Sequence, residues 1–179
     1  MNREKLQNCI LYFLEHINNV HLGRTKLMKL LYYVDFDHYE RWERSVTGAV
    51  YRKLPHGPVP QEAKAVIDAM VRGGAVRQLR AQRGDFEQYR LLTLSAQFDP
   101  RVFSGDELET LEQVAERWEH ATAAQIEAAS HREAPWLATA PRAVIEYELA
   151  LLRSPEPLHP TEAKLLKSKE FAAYAKAAR

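Results

Sequence analysis

Hydrophobic residues recur at helical spacing along most of this 179-residue chain, and this periodicity predicts a mainly helical protein. The first helix is predicted from about Arg3 to Asn18, because its apolar residues fall on one face. They are Leu6, Ile10, Phe13, Leu14 and Ile17. A loop containing Gly23 follows, and Thr25 is placed to cap the next helix. The chain is therefore expected to begin with two helices joined by a short loop.

The second predicted helix ends near Trp42 and is apolar or aromatic around more than half of its circumference. One face carries Leu27, Leu30, Leu31, Val34, His38 and Trp42, and the neighbouring arc carries Met28, Tyr32, Asp35 and Tyr39. The polar strip consists of Lys26, Lys29, Tyr33, Asp37 and Glu40. So wide an apolar surface predicts a central helix that is buried on most sides.

The sequence after this helix predicts a small amount of β-structure. Alternation over Val46–Tyr51 predicts a short strand. Residues 54–61 contain three prolines and a glycine, which predicts a rigid, irregular turn. Residues 75–81 and 88–94 predict a β-hairpin, which the first strand is expected to join or flank.

Start and stop signals predict the remaining helices. They are a helix from near Pro60 to Gly73, one opened by a Ser104–Glu107 capping box and reaching about His120, a short one opened by a Thr122–Gln125 box, and one from Pro141 to Arg153, with residues 130–136 as a loop. The predicted fold class is α+β and mainly helical, a single domain with a central buried helix and a small antiparallel sheet or hairpin.

Residues 154–179 are predicted to form a separate segment, a proline-rich linker and a C-terminal helix that follow a domain of residues 1–153. The helix is basic, with five Lys or Arg residues against two Glu, and it carries Phe171 and Tyr174. It is expected to dock on its own domain, on a partner or on a second copy, and the first is favoured.

Composition restricts the class of protein further. The net charge is only +1, so attraction to nucleic acid or anionic lipid would require a local patch. The single cysteine, Cys9, cannot form an internal disulfide and fits a reducing compartment. The N-terminus lacks the apolar run of a signal peptide, and no apolar stretch is long enough for a membrane span. We therefore expect a soluble cytoplasmic protein without membrane partners.

Asp35 and His38 are the candidates for chemistry, because residues three apart on a helix can meet at one point. Such a pair can orient a general base or bind a metal, with further ligands recruited from His21, His56, Asp37 or His131. In the alternative interpretation Asp35 accepts hydrogen bonds from tyrosine hydroxyls or from backbone N–H groups, and both residues are structural. We favour the structural interpretation. The sequence carries no phosphate-binding loop, nucleophile elbow or dinucleotide fingerprint, so we expect neither an enzyme nor a cofactor.

The arginines of the predicted hairpin raise a second alternative, a winged-helix DNA-binding regulator. Arg77, Arg80 and Arg83 lie on or near this hairpin and would suit contacts to phosphates. The helix before it, however, lacks the Arg, Asn and Gln residues that read bases, and Glu62 and Asp68 would face phosphate. The sequence therefore disfavours nucleic acid as a partner.

Four motifs in a fixed order resemble the Panacea domain of SocA-like antitoxins and phage-associated proteins. They are Lys29-Leu30-Leu31-Tyr32-Tyr33 with Asp35 and His38, then Thr47-Gly48, then Tyr51, then Gly57-Pro58-Val59-Pro60. Ser104, Ser130-His131 and Pro135-Trp136 resemble the second half of that family. The resemblance covers roughly residues 5–150.

This resemblance implies an antitoxin, without enzymatic activity, that neutralises a protein toxin encoded by a neighbouring gene through direct binding. Some members of the family act as adaptors that deliver the toxin to a protease. The resemblance implies that Asp35, His38, Thr47, Gly48, Tyr51, Gly57, Pro58, Val59 and Pro60 are structural. For partner contact the candidates are His56, Arg77, Arg80, Arg83, Phe171 and Tyr174, and the sequence leaves homo-oligomerisation open.

Overall fold

The longest helix of the described residues lies at their centre, and the other described elements pack around it. In the computed structural model, which describes residues 1–17, 22–83 and 86–153, the helices are α1 (Arg3–His16), α2 (Arg24–Trp42), α3 (Ala63–Arg72), α4 (Gly105–Trp118), α5 (Ala123–Ser130) and α6 (Ala134–Ala138). Short 3-10 helices occur at Pro100–Val102 and Tyr147–Leu152. Helix α2 contacts α1, α4, α5, both small sheets and the last 3-10 helix. The predicted mainly helical α+β fold with a central buried helix is confirmed.

The strands form two separate antiparallel sheets. They are β1 (Tyr51–Leu54), β2 (Gly57–Pro60), β3 (Val76–Arg83), β4 (Phe86–Thr93) and β5 (Val144–Ile145). One sheet has the order β2-β1-β5, and the other is the β3–β4 hairpin. The hairpin prediction is confirmed, but the prediction of a Val46–Tyr51 strand beside it is wrong. Gly48 has a φ of +67°, which interrupts an extended chain before β1 begins.

The proline-rich segment is also more regular than predicted. Gly57–Pro60 is a strand, paired with Tyr51–Leu54 through a two-residue turn at Pro55 and His56. Gly57 begins the returning strand with a φ of +102°, a conformation that favours glycine. Prolines fit here because β2 is an edge strand, where a missing N–H breaks no ladder bond.

Several predicted helix boundaries are corrected by tertiary contacts. Thr25 lies inside α2, whose N-cap is Gly23 without a side-chain cap. Helix α3 begins at Ala63 because Pro60 is still paired with Tyr51. Within residues 130–136, predicted as a loop, α6 begins at Ala134.

The predicted helix over Pro141–Arg153 is replaced by β5 and a 3-10 helix, since Val144 and Ile145 pair with β1.

Local capping signals were predicted correctly. Helix α4 begins after Ser104 and α5 after Thr122, and in each the N-cap side chain and the residue three positions later bond reciprocally. No helix among residues 1–17, 22–83 and 86–153 is long and apolar enough to cross a bilayer. The predicted C-terminal helix falls within residues 154–179, outside the described residues.

Candidate functional site

Helix α2 is buried around its whole circumference over residues 26–38. Most members of the polar strip are therefore buried as well. Lys26, Lys29, Tyr33 and Asp37 are all buried. A buried charge is costly unless it is paired or hydrogen-bonded, so each of these groups needs a partner from another element.

Asp35 finds its partners in the segment between α2 and β1. Its carboxylate accepts hydrogen bonds from the backbone N–H of Thr47 at 2.6 Å and from the Thr47 hydroxyl. The Tyr51 hydroxyl lies 2.7 Å from the same carboxylate. Asp35, Thr47 and Tyr51 thus form one buried cluster, which fixes the chain leaving α2 against the start of β1. Tyrosine and backbone partners are those that the structural interpretation expected.

The Tyr51 hydroxyl lies between two acceptors, because the carbonyl oxygen of Leu31 is 2.8 Å from it as well. An ionised Asp35 leaves its one proton shared between these acceptors. If Asp35 is protonated, it donates to Tyr51, and Tyr51 donates to Leu31. Burial also raises the pKa of Asp35, outweighing the hydrogen bonds that lower it.

His38 lies in a different environment, against α4. Its Nδ1 is 2.9 Å from the hydroxyl of Thr110, which donates its own proton to the carbonyl oxygen of Asp106. Thr110 must therefore accept, so His38 carries its proton on Nδ1. Burial lowers the pKa of His38, which favours this neutral form.

Asp35 and His38 therefore bond to different segments, and no hydrogen bond joins them. Within the described parts of the chain, no group of three or more His, Cys, Asp or Glu side chains is placed to hold a metal ion. Among the proposed recruits, His56 lies near Glu127, and Asp37 pairs with arginines. His131 stacks on Trp136, and His21 is outside the described residues.

Buried and half-buried lysines attach loops and helix ends to α2 and β1. Lys26 donates to the carbonyl oxygen of Glu119 at the end of α4, and Lys29 donates to Pro58 in β2. Lys53 of β1 donates to the carbonyl oxygens of Trp136 and Thr139 near the end of α6. Burial lowers the pKa of Lys26 and of Lys29 to about 8. Cations at helix C-termini also stabilise the helix dipole.

Gly57 is the close contact between the β1–β2 hairpin and α2. A Cβ at this position would lie 2.3 Å from Cε and 2.9 Å from Nζ of Lys29. With the positive φ of this residue, the position accepts only glycine without rearrangement. The Gly57-Pro58-Val59-Pro60 segment therefore packs closely against the central helix at Gly57.

Arg153, the last residue described, is bound in an acidic and aromatic pocket on α2. Its guanidinium pairs with Asp37, with Glu133 at 2.9 Å and with Glu40 at 3.4 Å. It also lies over the ring of Tyr32 at 5.3 Å. This cluster fixes the point from which residues 154–179 continue.

An open groove of about 960 Å³ lies where the β1–β2 hairpin, the first turns of α2, strand β4 and the start of α5 meet. Its lining includes Met28, Lys29, Val59, Pro60, Tyr89 and Ala123. Lys29 is thus both the buried anchor of the hairpin and a part of the groove. A concave surface with apolar walls and a few polar groups is the usual form of a binding site.

The residues predicted to contact a partner are only partly brought together. His56 lines the groove, whereas Arg77 and Arg80 are exposed on the β3–β4 hairpin outside its lining. In the hairpin register Arg80 pairs with Tyr89, so Arg80 shares the groove-side face and Arg77 lies on the opposite face. The side chain of Arg83 and all of Phe171 and Tyr174 lie outside the described residues.

The fold and the site define a class of protein. It is a mainly helical α+β domain in which a buried central helix supports an open groove. The chain belongs to the family described as Antitoxin SocA-like, Panacea domain, whose family model matches residues 27–137. That stretch holds all the groove-lining residues except three at the start of α2. No curated protein and no solved structure matches the chain.

Sequence reasoning missed the buried lysines and the Arg153 cluster. The available signal was the polar strip itself, because Lys29, Tyr33 and Asp37 are spaced four apart on the helix that was expected to be central. A polar strip on a surrounded helix predicts buried pairing. The partners of Lys29 and Asp37, Pro58 and Arg153, are too distant in sequence to be identified from local patterns.

Proposed function

We propose that this chain is an antitoxin that neutralises a protein toxin encoded by a neighbouring gene, by direct binding in the cytoplasm and not by catalysis. The observation that supports this function is the groove, which lies almost entirely within the residues matched to the antitoxin family. Direct neutralisation requires a surface with room for a partner, and the groove is such a surface.

Contacts within the chain hold the walls of the groove in the absence of a partner. Lys29 bonds to Pro58, Gly57 packs on Lys29, and the Asp35 cluster holds the start of β1. A site that is already ordered loses less conformational entropy on binding, which favours high affinity. The rigidity of the scaffold therefore supports a binding role for this face.

Co-expression with the product of the neighbouring gene tests this function. We expect that product to arrest growth alone, and the full chain to restore growth and to co-purify with it. Tyr89→Ala should weaken both effects, because Tyr89 lines the groove and is 39% exposed. The matched control is Leu79→Ala, which removes a 37% exposed side chain from the opposite face of the same hairpin.

Two results would contradict the proposal. One is a neighbouring product that neither arrests growth nor binds the chain. The other is restored growth without any complex, which would indicate neutralisation by another route.

Delivery of the toxin to a protease is a second form of the same function. The lifetime of the toxin distinguishes it from masking. A masking antitoxin leaves the amount of toxin unchanged while restoring growth. An adaptor shortens the half-life of the toxin after synthesis is stopped, and a protease-deficient strain abolishes that change.

The charges of the hairpin face do not favour the DNA-binding alternative. Arg80 is paired with Glu87, and Lys64 on α3 is paired with Asp68 at 2.7 Å. A carboxylate beside each of these two cations weakens its attraction to phosphate. The helix before the hairpin also lacks base-reading side chains, so we do not propose nucleic acid as the partner.

A further inference from the structure

The groove has an excess of positive charge. Among the described residues its lining contains Arg24, Lys29, Arg52 and Lys64 and one carboxylate, Glu87. This imbalance is local, because the whole chain carries a net charge of only +1. A concave surface lined by one sign of charge concentrates the field and attracts groups of the opposite sign.

The printed contacts of the groove cations differ in whether a carboxylate lies near them, and two of the cations donate hydrogen bonds to neutral acceptors. Lys29 donates to the carbonyl oxygen of Pro58, and Arg52 donates to the side-chain oxygen of Gln61 and the carbonyl oxygen of Arg142. These acceptors are neutral. By contrast, Lys64 is already paired with Asp68, and Glu87 is paired with Arg80. Glu127 also acts on Lys29, and Arg24 acts on Asp68, so among the described residues the positive field of the groove arises mainly from Arg52.

Apolar groups lie beside these cations. Met28 and Pro60 are buried members of the lining, and Leu54, Val59 and Tyr89 are partly exposed. A ligand that had only acidic side chains would leave these apolar groups of the groove in contact with water. The segment that would complement this lining has apolar or aromatic side chains interspersed with carboxylates.

Strand addition is not available at this site, although β2 is an edge strand. The backbone N–H of Lys53 donates to the carbonyl oxygen of Ala143, on the side away from β2. In this register the backbone nitrogen of the opposite residue, Pro58, points to the outer edge of β2, and proline has no N–H to offer there. Pro60 has the same orientation, and the carbonyl oxygen of Pro58 already accepts a hydrogen bond from Lys29. Along β2, recognition must therefore depend on side chains and charge rather than on a β-ladder.

The basic C-terminal segment of this chain does not match the groove. Its predicted helix carries five Lys or Arg residues and two Glu, and like charges repel. We propose that the groove binds an acidic segment with apolar anchors from the partner protein, and that the C-terminal segment does not occupy it. This inference rests on the proposed function, in which the partner is the toxin.

Fluorescence polarisation with the full chain tests the proposal, using labelled overlapping peptides that span the product of the neighbouring gene. We expect the peptides that bind to be acidic and to lose affinity as salt is added. Lys64→Glu and Arg52→Gln should each weaken binding about tenfold, and Glu87→Lys should strengthen it. Arg3→Glu is the control, because it reverses an exposed charge outside the groove.

The variants also separate this proposal from the proposed function. If the intact product co-purifies equally with wild type, Lys64→Glu and Arg52→Gln, all with unchanged melting temperatures, the antitoxin function stands and the acidic segment is wrong. The proposal is also overturned if only basic or uncharged peptides bind. It is likewise overturned if sedimentation shows a dimer of this chain that Arg52→Gln dissociates, because a second copy then fills the groove. Failure of the intact product to bind wild type contradicts the proposed function itself.

Discussion

Asp35 is a fully buried carboxyl whose surroundings favour its protonated form. The unfolded chain exposes this group to water with an ordinary pKa, whereas burial raises its pKa in the folded state. As pH rises above the unfolded pKa, the unfolded state releases the proton first, so the folded state is progressively disfavoured. The contribution of Asp35 to stability is therefore greatest in acid and declines with rising pH until the folded pKa is passed.

Asp35→Asn should abolish this decline, because asparagine stays neutral and can still accept from the Thr47 N–H and donate to Tyr51. In urea unfolding, the variant should gain stability relative to wild type as pH is raised from acid toward neutrality. Asp35→Ala should be destabilised at every pH by about 1–3 kcal/mol or more, since it leaves buried donors unpaired. A gap between wild type and Asp35→Asn that does not change with pH would contradict a shifted titration.

The hydrogen bond from His38 to Thr110 should stabilise the contact between α2 and α4. His38→Ala is expected to lower the free energy of unfolding by about 1–3 kcal/mol. A double-mutant cycle with Thr110→Val isolates the pair, and its coupling energy should be clearly above zero. Stoichiometric zinc or iron in protein purified without added metal would instead make His38 a ligand and revive the catalytic interpretation.

At the scale of elements, the β1–β2 hairpin depends on a single residue, Gly57, for its backbone conformation and its contact with Lys29. Gly57→Ala should destabilise the protein by about 2–4 kcal/mol, the sum of positive-φ strain and crowding against Lys29. Gly74→Ala is the matched control, because Gly74 has a φ of +72° but no atom within 4 Å of an added Cβ. It should show the strain alone, about 1–2 kcal/mol. Equal losses in chemical unfolding would mean that Lys29 moves aside at little cost.

Elements whose signals are local were predicted well. The two capping boxes join residues three apart, and the β3–β4 hairpin joins neighbouring segments, so the necessary partners stand close together in the sequence. Residues 141–153 show the opposite case. Their helical pattern is overridden because Val144 and Ile145 pair with β1, more than ninety positions earlier.

At the scale of the whole molecule, Arg153 joins the domain to the C-terminal segment. A chain ending at residue 154 would retain Arg153 and its contacts with Asp37 and Glu133. Deletion of residues 155–179 should lower the melting temperature if the segment docks on its own domain, which is the docking that the sequence favours. Binding of the partner should persist, because the groove is formed by other residues. Loss of binding at an unchanged melting temperature would place the segment in the interface instead.

The sequence by itself determined the fold class, the central position of α2, the caps, the hairpin and the family motifs. Each of these depends on periodicity or on residues a few positions apart, where local geometry decides the outcome. Tertiary structure alone decided which polar groups are buried and with whom. His38 and Thr110 are 72 positions apart, and Asp37 and Arg153 are 116 apart. The groove exists only because four distant elements meet, and no pattern along the chain encodes the space between them.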